Sequence, residues 1–71
     1  MNAVLMSKVE THFQFALRMV DAATFELGQG RPVESRAMIY NAIEQLDRAV
    51  TVIWEFEQHG REQAPSGNPP S

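Results

Sequence analysis

A chain of 71 residues with no cysteine is one small domain at most, without disulfides or thiolate metal sites to brace it. Its net charge is −3, with nine acidic residues against six basic. That balance lacks the basic stripe on which phosphate binding depends, so nucleic acid is not an expected partner. Met1 to Lys8 has no basic leader and only a short apolar run, so it is not read as a signal peptide. No segment approaches the roughly 20 apolar residues that span a bilayer. No membrane is expected, and a cytoplasmic location fits the lack of cysteine.

The first predicted element is a helix over residues 3–27. Met6, Val9, Phe13, Ala16, Val20, Ala23 and Leu27 recur at intervals of 3, 4, 3, 4, 3 and 4. That is the seam of a helix packed lengthwise on another. Leu5, Leu17 and Met19 flank it and widen it to a bundle stripe. Phe15, Arg18, Ala22 and Phe25 follow one another at 3, 4 and 3 on a different face. These phenylalanines suit either a dimer interface or a patch for another protein.

A loop is expected over residues 28–31. Gly28 stands where a helix C-cap takes a left-handed residue, and Pro32 suits the first turn of a following helix. Glu34 complements the positive end of that helix. The spacing is ordinary turn chemistry. No strand precedes it and no Gly-Lys-Ser/Thr follows, so it is not a phosphate loop.

The second predicted helix covers residues 32–59. Its seam is Ile39, Ile43, Leu46, Val50 and Ile53, with Ala42, Ala49 and Phe56 beside it every seven residues. The two alanines admit a close neighbour. Tyr40, Asp47 and Trp54 also recur every seven, on another face. Tyr and Trp suit protein interfaces because each joins a large apolar body to a polar group. The remainder, residues 61–71, carries no large apolar side chain and is expected to be disordered.

Little in the chain suggests catalysis. His12 and His59 fall two turns or more apart in an antiparallel hairpin, and the carboxylate–histidine spacing of metal bundles is absent. No serine has a base and acid placed around it. No cofactor, metal or enzymatic activity is expected.

The expected fold is therefore all-α: residues 1–60 form a two-helix antiparallel hairpin. Each helix has more than one apolar stripe, so two hairpins are expected to pair into a four-helix bundle. Phe13, Val20, Leu27, Ile39, Ile43, Leu46, Val50 and Ile53 would form the core and dimer seam. Phe15, Arg18, Phe25, Tyr40 and Trp54 would bind a partner. The leading expectation is a homodimeric regulator that docks on another protein as an inhibitor, anti-activator or adaptor, of the size common in phage and bacterial regulatory loci. Residues 21–56, a helix, a Gly-containing turn and a helix, are similar in pattern to hairpins of flagellar and type III secretion chaperones. That likeness implies the alternative of a chaperone masking an export substrate. A purely structural oligomerisation module is the third reading.

Overall fold

The structure is a computed structural model that describes residues 3–62. It contains two helices, α1 (Ala3–Gly28) and α2 (Pro32–Glu62), packed against each other. The described residues are all-helical apart from the connecting turn. Most of the tail expected to be disordered lies outside the described residues. Its first two residues, Arg61 and Glu62, continue α2 past Gly60.

The turn is made by a C-terminal cap with both of its diagnostic hydrogen bonds. The Arg31 N–H donates to the Glu26 carbonyl at 2.9 Å, and the Gly30 N–H donates to the Leu27 carbonyl at 3.0 Å. This is the Schellman pattern, which places its left-handed residue at Gly30. Gly30 accordingly has φ of 77°, a conformation that costs a side-chain-bearing residue roughly 1–2 kcal/mol. The expectation that Gly28 would take this position is corrected: Gly28 is the last residue of α1. The cap is usually closed by a hydrophobic contact across the turn. Here an Arg31–Glu26 ion pair and hydrogen bond link the corresponding residues. That bond and the charge of Glu26 hold the Arg31 guanidinium above its ordinary pKa. Pro32 opens α2, and the Ser35 N–H closes its first turn on the Arg31 carbonyl at 3.0 Å.

Two side-chain bonds set the register of the antiparallel pair. Ser35 Oγ donates to the Ala23 carbonyl at 2.8 Å. His12 Nδ1 lies 2.8 Å from Gln45 Oε1. The same register places Ala16 level with Ala42, Val9 with Ala49, and Met19 with Met38. The buried line is Val9, Ala16 and Ala23 on α1, and Ser35, Ala42 and Ala49 on α2. Leu5, His12, Met19, Met38, Gln45 and Val52 line it half-buried. Both helices meet with small side chains, which let two helix backbones approach closely.

Large residues contribute little to this interior. Among the described residues, no large side chain is fully buried. The narrowest Cα extent is 10 Å, so the two helices form a single layer. Stable domains ordinarily close a core between two layers.

Candidate protein-interaction surfaces

The alanine seam divides the layer into two unlike faces. In an antiparallel pair, the rows beside the seam on one side of each helix share a face. A groove of about 400 Å³ between the helix ends is lined by Leu5, Lys8, Val52, Glu55 and Phe56. His12 and Gln45 stand on this same side. The row continues as Phe15 and Ala22 on α1, and Glu34, Asn41 and Arg48 on α2. This face mixes such polar groups with Leu5, Phe15, Met19, Met38, Val52 and Phe56.

The opposite face is apolar. Its inner rows are Met6, Phe13 and Val20 on α1 and Ile39, Leu46 and Ile53 on α2, each 36–43% exposed. Farther from the seam stand Leu17, Ile43 and Val50, each more than half exposed. Leu27 continues the α1 row toward the turn. Level pairs follow from the register: Met6 with Ile53, Phe13 with Leu46, Val20 with Ile39. Between these large rungs lie the small ones, Val9 with Ala49, Ala16 with Ala42, and Ala23 with Ser35.

Every residue expected in the large seam (Phe13, Val20, Leu27, Ile39, Ile43, Leu46, Val50 and Ile53) is thus at least partly exposed. Together they make one open face of the hairpin, and the interior runs one row away. The expected α1 series mixed both rows, since Val9, Ala16 and Ala23 are buried and Met6, Phe13, Val20 and Leu27 are not.

The expected partner-binding residues do not converge. Phe15 is on the mixed face, with His12 and Gln45. Arg18 and Phe25 lie seven residues apart on the far side of α1. Phe25 is 59% exposed, with the Arg31 guanidinium 5.9 Å from its ring centroid in a cation–π arrangement. Tyr40 and Trp54 follow the outer edge of α2, with Asp47 between them, and both are more than half exposed. Only Phe25 lies near the turn, and Tyr40 and Trp54 form a strip along the edge of α2.

Ser35 and the His12–Gln45 pair were not foreseen as packing residues. The available signal for Ser35 was its place seven residues before Ala42, itself seven before Ala49, which extends the small row to the turn. Among the described residues, no group of three or more His, Cys, Asp or Glu could hold a metal ion. No described helix is long and apolar enough to cross a membrane. The chain matches no protein-family model, no curated protein and no solved structure.

Proposed function

We propose that this chain is a small non-enzymatic protein-binding regulator that works as a homodimer. The observation that carries this reading is the open apolar face on a hairpin whose own seam is built of alanines. Burial is worth about 25 cal/mol per Å² of apolar surface, and the hairpin alone leaves most of its large side chains wet. A second copy would cover the face and complete a four-helix bundle. The exposed Phe25 and the aromatics of the α2 edge would then remain outside, available to another protein. Aromatic and Arg anchors carry most of the energy in such contacts. An inhibitor, anti-activator or adaptor is the activity that suits a scaffold of this size.

Phe25→Ala and Trp54→Ala test the docking half of this reading. Each is expected to lose capture of a folded partner from the native host while dimer mass and melting temperature hold. If either variant mainly lowers the melting temperature, that aromatic is structural and its docking role fails. Capture of unfolded export clients would favour the chaperone reading. Self-association with no further partner would leave an oligomerisation module.

A further inference from the structure

The apolar face also specifies how its second copy is oriented. We infer that two hairpins pair face to face with their turns at opposite ends, α1 on the partner's α1 and α2 on the partner's α2. This rests on the homodimer reading and adds its topology.

Area first supports a second copy as the occupant. The large side chains of this face, each 36–62% exposed, carry on the order of 800 Å², the area a stable interface takes from each partner.

Two symmetric ways of stacking the faces are open. A two-fold axis running along the helices puts both turns at one end. Each rung then meets its own copy, because any lengthwise slide would turn the rotation into a screw that does not close. Phe13 and Leu46 would face the partner's Phe13 and Leu46, and the Ala16–Ala42 rung would face itself. Large layers would be overfilled and small layers left hollow, and both faults cost stability.

A two-fold axis running across the helices reverses the order of rungs. Placed between the Phe13–Leu46 and Ala16–Ala42 rungs, it seats every large rung on a small one. Phe13 and Leu46 cover the partner's Ala16 and Ala42. Met6 and Ile53 cover the partner's Ala23 and Ser35. Val20 and Ile39 cover the partner's Val9 and Ala49. Alternating large and small residues across facing positions is how a core fills at native density.

The outer rows fit the same arrangement. The outer row of α2 carries Ile43 and Val50 side by side between Arg36 and Glu57, whereas the corresponding row of α1 carries Leu17 alone between Glu10 and Thr24. With the axis across the helices, the wide strip lies on the partner's wide strip. With the axis along them, that strip would lie instead on the narrower row of the partner's α1, around Leu17.

The native chain has no cysteine, so single labels can be placed cleanly. A nitroxide on Gln29→Cys, at the turn, reads the topology by dipolar spectroscopy, with native mass measured on the same sample. A dimer with a spin–spin distance of about 45 Å is expected, from the rise of 1.5 Å per residue. A dimer with a distance under about 20 Å, the width of packed helices, overturns this topology and leaves the proposed function standing. A monomer, or a chain that associates only with a different protein, overturns both. Ile43→Cys gives a second readout: beside the crosswise axis it should oxidise to a disulfide-linked dimer, and failure to cross-link within a confirmed dimer counts against the topology.

Discussion

Ala49 is 1% exposed and lies level with Val9, so a longer side chain there has to push the helices apart. Ala49→Leu is expected to destabilise by about 1–3 kcal/mol, the usual cost of overpacking, read as a lower midpoint in urea unfolding followed by circular dichroism. The Glu44–Arg48 pair marks the opposite extreme. It spans 3.1 Å, but both side chains are more than half exposed, and such a pair contributes only about 0.3–0.5 kcal/mol. Ser35 falls between these. Its hydroxyl satisfies itself on the Ala23 carbonyl, so a polar residue occupies the alanine row without a buried unpaired group. Threonines 11, 24 and 51 are accommodated on the exposed surface by bonding back to the carbonyl four residues earlier.

The two helices and the turn between them were legible in the sequence, and the physical reason is local. Apolar intervals of three and four, uninterrupted by Gly or Pro from Met6 to Leu27, leave few alternatives to a helix. The rotation of each helix was harder to read. Val9, Ala16 and Ala23 belong to two overlapping series, one with Met6, Phe13 and Val20, the other with Leu5, His12 and Met19. Hydrophobic weight favours the first series, yet the hairpin closes on the shared small residues with Leu5, His12 and Met19 tucked half-buried beside them. Gly28 and Gly30 posed a similar ambiguity, settled by which N–H groups reach Glu26 and Leu27. The two glycines should therefore respond oppositely to alanine. At Gly28 a Cβ would meet nothing within 4 Å in a helical conformation, so Gly28→Ala should stabilise by about 0.4–1 kcal/mol. At Gly30 the positive φ makes Gly30→Ala lose roughly 1–2 kcal/mol. Paired thermal melts check the sign.

At the scale of the whole molecule, one layer of two helices with an alanine seam makes folding and association hard to separate. The dimer reading requires that the melting temperature rise with protein concentration, since a partner that binds only the folded state stabilises it by mass action. A hundredfold dilution should lower the midpoint by several degrees, and a midpoint indifferent to concentration would contradict the dimer. Ile43→Asp, which puts a carboxylate in the middle of the apolar face, should abolish dimerisation by light scattering and remove most of the helical signal.

The alanine seam has one further consequence, in the entropy of side chains. Alanine has no rotamers to lose, whereas Leu and Ile give up about 0.5–1 kcal/mol each when fixed and Met more. Closing the hairpin on Ala16, Ala23, Ala42 and Ala49 therefore freezes little side-chain motion. The freedom of Met6, Leu17, Ile43 and Leu46 persists in the lone hairpin and is surrendered only when something covers them. Methyl relaxation should thus report fast, broad side-chain motion across that face in the isolated hairpin, and its quenching should coincide with assembly.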